Sequence, residues 1–439
     1  MKKLYILAGL VVGLLCVTSC DDYLDRTPDD KTTEQQVFTR YDKVESLVTD
    51  LYAHAKYAQH PLIYFNHFGL SSISDSASSH EGAIPHQFHT GNYGPSQGMP
   101  SGSSAGQYWD DLYSTIRSSN IILEGIAKYN TPDNPQDGRT GDLKRRIGEV
   151  YFLRGYLHLL LIRSYGEAVY VNRVINPGDD MTFEKESFHS MVEKICADAD
   201  SAYNRVDSWN GGQYFGRVDK GACLGLKAMA RWLAATPLWN GGNLPNDNRI
   251  FKSEYGYDQK RWELARDAAK AVLECTKEDG SLRYKLYETY TKDDFRDVDG
   301  KTDTNNKKVQ QRLWQMMYDM NAIQDEWVWF VTRDKDTGWS GDVLPPSQGG
   351  HARQRPLQEQ VDEYEYIAPD GYGYPIYCNH AEKDGYDDGN PYEGIQRDPR
   401  LYRDIRYHGS WYGGNQLNTA VMMRSGGVIW IRLLIRGII

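Results

Sequence analysis

The sequence has no block of basic residues, and its 50 Lys and Arg are outnumbered by 60 Asp and Glu, for a formal net charge of −10. A protein that binds nucleic acid needs a surface rich in Lys and Arg to face the phosphates. The composition therefore excludes nucleic acid as a partner.

Long apolar runs are also missing. Residues 4–17 are apolar and uncharged, but a helix that spans a bilayer needs about 20 such residues. Lys2 and Lys3 precede this run, as in a secretory signal, and Val17-Thr18-Ser19-Cys20 follows it in a pattern that resembles a lipobox. We predict a signal peptide over 1–19, a lipid such as palmitate on Cys20, and an extended polar tether over 20–33.

Cysteines are few and scattered. The chain has six, and no CxxC pair occurs, so the sequence contains neither a zinc-ribbon nor a thioredoxin-like motif. Cys196, Cys223 and Cys275 lie in helical stretches among apolar neighbours. This setting favours small buried side chains over disulfide partners.

Metal-binding motifs are absent as well. His80, His86 and His89 lie close together in sequence, but neither HExxH nor a nearby Cys accompanies them, which favours solvated histidines over zinc ligands. The aspartates between residues 297 and 303 do not follow the EF-hand spacing, which favours surface turns. We expect no cofactor, with Ca²⁺ on such turns as the remaining alternative.

No catalytic constellation stands out. Residues 94–98 fit the GxSxG pattern, but a nucleophile elbow needs a strand before the serine and a helix after it. Pro95 precedes Ser96, and Pro100 follows shortly, so no helix begins there. No pair of carboxylates is singled out for glycoside hydrolysis. We expect a protein that is not an enzyme.

Apolar residues recur at helical spacing through much of the chain. Helices of about 20 residues joined by short turns are typical of tetratricopeptide-like pairs. The predicted fold class is therefore mainly α, with a scaffold of such pairs. The predicted helices cover 34–59, 107–129, 141–165, 185–206, 218–236 and 259–275.

Two segments have a different character. Residues 60–106 are rich in Ser, Gly, His and Pro, which is typical of a long loop region. In residues 280–420 the helical periodicity fades, and we expect loops and short strands packed on the scaffold, with 327–331 as a candidate strand. We predict one domain over 34–420, with the helical scaffold mainly in 34–280.

The last segment, 421–439, ends in an apolar run, 428–436, that contains Arg432 and Arg436 and has no helix caps. The two arginines and the short length exclude a membrane span. Such a segment exposes an apolar patch unless it is buried. We interpret it as an atypical tail, of the kind that a truncation or frame shift produces.

Several short motifs occur in a fixed order. The most specific is Tyr151-Phe152-Leu153-Arg154-Gly155-Tyr156, which leads to Arg163-Ser164-Tyr165-Gly166. The others are CDDYLD at 20–25, WDDLY at 109–113 with Asn120, GRV at 216–218 and RDPRL at 397–401. Together they resemble the SusD/RagB family of outer-membrane glycan-binding lipoproteins.

The resemblance implies a tetratricopeptide-like scaffold that supports a binding face built from loops. It also implies that the protein binds an oligosaccharide and delivers it to a TonB-dependent outer-membrane transporter of the SusC type. The acidic residues after Cys20 resemble the surface-export signal of Bacteroidetes lipoproteins. The implied location is the outer membrane, exposed at the cell surface and anchored by lipid.

A glycan site needs aromatic rings on loops, because the C–H face of a sugar stacks on a ring while its hydroxyls bind polar side chains. In the loop-rich segments the main candidates are Tyr93 and Trp339, and the lesser ones are Tyr64 and Asp75. For each of them, packing within the loop is the alternative role.

Two other functions stay open from the sequence. One is a surface-anchored glycosidase or peptidase, and the other is a binder of peptide or another non-sugar nutrient.

Overall fold

The computed structural model describes residues 32–59, 70–79, 84–94, 107–209, 214–286, 325–330, 349–377, 397–405, 407, 411–412 and 415–416. Within these ranges the chain is mostly helical. None of the helices described there has the length and hydropathy to cross a membrane.

The helices follow the chain in order. They are α1 Glu34–Phe38, α2 Tyr41–Gln59, α3 Ile84–His89, α4 Gln107–Tyr129, α5 Thr140–Tyr165, α6 Phe188–Tyr203, α7 Lys220–Ala235, α8 Gln259–Leu273, α9 Gln358–Asp362 and α10 Pro399–Asp404. Two 3₁₀ turns cover Leu70–Ile73 and Lys252–Glu254. The strands pair antiparallel two by two: β1 Ala77–Ser78 with β2 Arg355–Pro356, β3 Tyr366–Ile367 with β4 Gly373–Tyr374, and β5 Trp411–Tyr412 with β6 Asn415–Gln416.

Successive helices from α4 to α8 pack against one another, and α2 packs against both α4 and α5. This is the mainly α, tetratricopeptide-like arrangement that the sequence predicts. The predicted helix limits agree with the observed ones within three residues at most ends, and the predicted helix over 34–59 is broken at Thr39 and Arg40.

The central helix is α5, which contacts α2, α4, α6 and α7. From Ile147 to Ile162 nearly every residue is buried, as expected of a helix that is covered on all sides. One continuous core of apolar side chains therefore runs from α1 to α7.

Two glycines let α5 approach its neighbours closely. A Cβ on Gly148 would lie 2.8 Å from Val206 Cγ1, and a Cβ on Gly155 would lie 3.1 Å from Asp198 Cβ and 3.3 Å from Leu226 Cδ2. Contacts below about 3 Å force a neighbour to move, so position 148 has no room for a side chain.

A buried ion-pair network joins α2 to α5. The Arg146 and Glu149 side chains are both fully buried and bonded to each other. Arg217 donates to Glu149 Oε2 at 2.8 Å and to Glu45 Oε1 at 2.6 Å, while Arg146 Nε donates to Glu45 Oε2 at 3.0 Å and to the Tyr41 hydroxyl at 3.1 Å. Burial raises the pKa of Glu149, and the two arginines counteract that rise.

A second buried network centres on Arg154. Its Nε and Nη2 donate to both oxygens of Asp198 at 3.0 and 2.5 Å, and its Nη1 donates to Asn120 Oδ1 at 3.0 Å. The Tyr170 hydroxyl donates to Asp198 Oδ2 at 2.6 Å. The Arg154 guanidinium thus joins α4, α5 and α6, and Asp198 adds the chain that follows α5.

His158 is buried beside this network. Its Nε2 accepts from the Val171 N–H at 3.1 Å, so the proton of the neutral ring is on Nδ1, which donates to the Arg154 carbonyl at 2.9 Å. Burial lowers the pKa of this imidazole to about 3. The neutral ring is therefore part of the folded structure.

Cys196 and Cys223, in α6 and α7, and Cys275, just beyond the end of α8, are buried and free, as the sequence predicts. Burial raises the pKa of the Cys196 thiol to about 11 and raises that of Cys223 as well.

The strand predicted over 327–331 is wrong for its described part, since residues 327–330 form no strand. The Trp329 ring instead lies edge-on to Phe152 at 4.8 Å and to Tyr156 at 5.2 Å, and its indole N–H donates to the Gly216 carbonyl at 3.3 Å. This segment is held to α5 by its side chain and not by a strand partner.

We expect Gly148→Ala to lower the free energy of unfolding. Overpacking costs about 1–3 kcal/mol, which exceeds the gain of about 0.5–1 kcal/mol that Ala brings to a helix interior. Gly141→Ala in the same helix is the matched control, because nothing lies within 4 Å of a Cβ there. Urea unfolding that gave the same change for both variants would contradict the close contact at residue 148.

We expect acid to destabilise the fold through His158. A histidine in the unfolded chain titrates near about 6.5, whereas this one titrates near 3 when folded. Between these pH values the unfolded chain binds a proton that the folded chain does not. The free energy of unfolding then falls on acidification below about 6.5 by up to about 1.4 kcal/mol per pH unit.

His158→Gln removes the group that takes up this proton in the unfolded chain. The free energy of unfolding, measured in urea between pH 7 and 5, should therefore fall less steeply with pH in this variant than in the parent. The control His54→Gln lies on the exposed face of α2 and should leave the slope unchanged. A parallel pH dependence for His158→Gln and the parent would rule out the neutral buried ring.

Candidate ligand-binding site

The two loop-rich segments of the sequence meet in the structure. In the β1–β2 pair Ala77 lies opposite Pro356 and Ser78 opposite Arg355, and the Leu357 N–H donates to the Ser76 carbonyl at 3.1 Å. Part of 60–106 and part of 280–420 therefore form one layer. The sequence predicts binding residues from 60–106 and from 280–345, and it gives no sign that the first of these pairs with residues 355–356.

A tight turn ends α3 and reverses the chain. The Gly91 N–H donates to the Phe88 carbonyl at 3.1 Å, and the Asn92 N–H donates to the Gln87 carbonyl at 2.8 Å. Gly91 has a φ of +70°. These two bonds with a left-handed residue between them define a Schellman motif, which favours glycine at that place.

The turn brings Tyr93 back onto α3. Its ring stacks on Phe88 with centroids 3.8 Å apart and planes 22° apart. Both rings are half-buried and pack against the helical core, and burial raises the pKa of the Tyr93 hydroxyl. The scaffold thus fixes this ring at the edge of the loop layer, which fits both a packing role and a stacking role.

Asp75 is exposed in the turn between the first 3₁₀ turn and β1. The 3₁₀ turn is tied to α3, because the ring Nε2 of His89 lies 2.9 Å from the Ser72 carbonyl oxygen. Asp75 and Tyr93 therefore belong to the same layer. The other predicted residues, Tyr64, Trp339 and the lipid-attachment residue Cys20, lie outside the described residues.

Metal ligands are not assembled in the part of the chain that the structure describes, where no three His, Cys, Asp or Glu side chains come together. His80 and the aspartates at 297–303 lie outside the described ranges. His89 is committed to the 3₁₀ turn.

Sequence reasoning missed an apolar groove of about 770 Å³ between α7 and α8, with α5 at its floor. Trp232 and Trp262 line it and are 52% and 39% exposed. Arg266 is the one charged residue among the described residues that line it. The missed signal is the pair of tryptophans, which lie outside the buried stripe of their helices. A groove with so few polar groups does not satisfy the hydroxyls of a sugar.

The protein is thus a scaffold of paired helices with a loop layer packed on one part of it. Residues 22–228 match the sequence model of a family, SusD-like, that is described as starch-binding and associating with the outer membrane. This segment, just under half of the chain, is therefore similar to the SusD-like family, as the motifs predict. No curated protein matches the chain.

Solved structures support the fold. A SusD-like protein from Bacteroides fragilis NCTC 9343 has a TM-score of 0.58 at 18% identity, with 88% of this chain and 64% of that one covered. A SusD-like carbohydrate binding protein from the same organism has a TM-score of 0.58 at 17% identity, with 87% and 62% covered. A SusD homolog from Bacteroides thetaiotaomicron VPI-5482 has a TM-score of 0.51 at 16% identity, with 90% and 72% covered. The chain thus spans less than two thirds of the length of the first two.

We expect Gly91→Ala to loosen the turn that holds Tyr93. The left-handed conformation costs a residue with a Cβ about 1–2 kcal/mol, although nothing lies within 4 Å of a Cβ at this position. Amide hydrogen exchange at residues 91 and 92 should be about fivefold faster or more. Gly91→Asn is the matched variant, since Asn adopts this conformation more readily. Equal rates in the two variants would contradict the strained backbone.

Proposed function

We propose that the protein binds an oligosaccharide without transforming it and delivers it to a TonB-dependent outer-membrane transporter of the SusC type. The observation that carries the proposal is the match of residues 22–228 to a family described as starch-binding and associating with the outer membrane. A structural relative described as carbohydrate binding, with a TM-score of 0.58, supports it.

The binding face in this proposal is the loop layer around Tyr93. The ring is fixed by the Phe88 stack and by the turn at Gly91, so little conformational freedom remains to be lost when a sugar packs beside it. Asp75 contributes an exposed carboxylate in the same layer for sugar hydroxyls. Tyr64 and Trp339 complete the proposed set.

The proposal also includes the anchor. Acyl chains on Cys20 would hold the protein at the outer membrane, since each buried CH₂ contributes about 0.8 kcal/mol and two or more chains give a stable attachment. The carboxylates, histidines and cysteines described above take part in packing networks or lie on the surface, and the proposed function assigns catalysis to none of them.

We expect the full chain to bind a subset of glycans on an array, and Tyr93→Ala to weaken binding about two- to tenfold. That range corresponds to the loss of about 0.5–1.5 kcal/mol of ring stacking. Titration calorimetry with the best glycan gives the affinities. The matched control is Tyr257→Ala, which removes a tyrosine that is 65% exposed beside α8 and should leave the affinity unchanged.

Three outcomes separate the alternatives. An unchanged affinity in Tyr93→Ala would remove this residue from the site. New reducing ends after prolonged incubation with the glycan would identify a glycosidase. Binding of peptides with no binding of any glycan would overturn the choice of ligand.

A further inference from the structure

A second cavity, of about 700 Å³, opens between the start of α5, the end of α6 and the start of α7. Two carboxylates line it, Asp142 and Asp207. The basic residues that line it are more numerous, in a chain whose net charge is −10. They are Arg139, Lys144, Arg145, Arg205 and Lys220.

Two of the basic residues neutralise the two carboxylates. Arg139 donates through Nε and Nη2 to Asp142 at 2.9 and 2.6 Å. Arg145 pairs with Asp207 at 2.6 Å. The acidic side chains of the cavity are therefore already committed.

The other three cations, Lys144, Arg205 and Lys220, have no carboxylate within 4.0 Å among the described residues. Aromatic rings hold two of them instead. Arg205 lies 5.2 Å from the Tyr151 ring centre, and Lys220 lies 5.2 Å from the Tyr203 ring centre. Arg205 Nη1 donates to the Ser201 carbonyl at 2.7 Å. A ring face stabilises a cation without accepting all of its N–H groups, so the other donors of Arg205 and those of Lys220 stay available to a ligand.

Backbone groups add to this charge. Thr140 and Gly141 line the same cavity, and they form the start of α5, a helix of 26 residues. The capping residue Arg139 makes no side-chain cap. The N–H groups and partial positive charge of a helix start favour an anion.

We propose that this cavity binds an oxyanion, in the form of a sulfate or carboxylate group. Three cations without carboxylate partners and a helix start meet in one open cavity, and a planar or tetrahedral oxyanion accepts several N–H bonds at once. A neutral sugar would leave those charges without a counter-ion.

The proposal can be extended to the ligand of the whole protein. If the proposed function holds, the oxyanion belongs to an acidic glycan, one that carries sulfate esters or uronic acids. This extension rests on the proposed function, whereas oxyanion binding in the cavity does not.

Inorganic sulfate is the probe for the cavity. We expect it to bind to the full chain at constant ionic strength, measured by calorimetry against a chloride reference. The double variant Lys144→Gln/Lys220→Gln should weaken sulfate binding at least tenfold. The control Lys260→Gln/Lys270→Gln makes the same charge change on exposed positions of α8 and should bind as the parent does. Equal affinity in all three proteins, or no binding to the parent, would overturn the oxyanion site.

A second arm tests the glycan. Oligosaccharides of glucuronic acid and of glucose are titrated into the parent and the double variant. The extension is supported if only the acidic oligosaccharide binds more weakly to the double variant. If sulfate depends on Lys144 and Lys220 but neither oligosaccharide binds, the cavity stands and the acidic glycan is overturned. Glucose oligosaccharide that binds equally to both proteins, while the acidic one does not bind, supports the proposed function and overturns the extension.

Discussion

The helical scaffold depends on the buried pair of Arg154 and Asp198. The guanidinium donates to both oxygens of the carboxylate and to Asn120. Because the Tyr170 hydroxyl also donates to Asp198, three helices and the chain after α5 share one set of bonds. Desolvation offsets much of the Coulomb energy of a buried pair, but removing one partner is strongly destabilising because it leaves an uncompensated buried charge. A helix that rotated or slid would leave a buried charge without its partner. This constraint fixes which faces of α4, α5 and α6 meet.

The loop layer takes its position from this frame. Ile84, Phe88 and Tyr93 pack on the same core that α4 and α5 form, and β1 joins the layer to the second loop-rich segment through β2. Loops carry binding residues well only when rigid elements hold them. The loop layer therefore packs on the same helices, α4 and α5, that the Arg154 network joins.

The sequence predicts the scaffold well because the buried face of a helix follows from the local spacing of its apolar residues. The helix over 107–129 is predicted to the residue, and that over 141–165 within one residue of its start. The motif residues Arg154 and Asn120 have a physical meaning that the resemblance alone does not supply, since they bond to each other inside the core. The features that the sequence does not predict depend on contacts between residues that are far apart in the chain. Trp329 fits a strand pattern in the sequence, but in the structure its ring packs against α5. The groove lined by Trp232 and Trp262 forms only where α7 and α8 pack together, so the sequence does not predict it. The pairing of Ala77 with Pro356 links residues far apart in the chain, and no local pattern encodes such a link.

The buried cysteines have a consequence for how the chain meets an oxidant. Thiol–disulfide exchange proceeds through the thiolate, and burial raises the pKa of the Cys196 thiol to about 11, with Cys223 shifted in the same direction. While the helices are packed, both thiols are buried and protonated, so thiol reagents do not reach or attack them. Once α6 and α7 separate, the same sulfurs become reactive together. The rate at which these native cysteines are alkylated therefore measures how fast the scaffold opens.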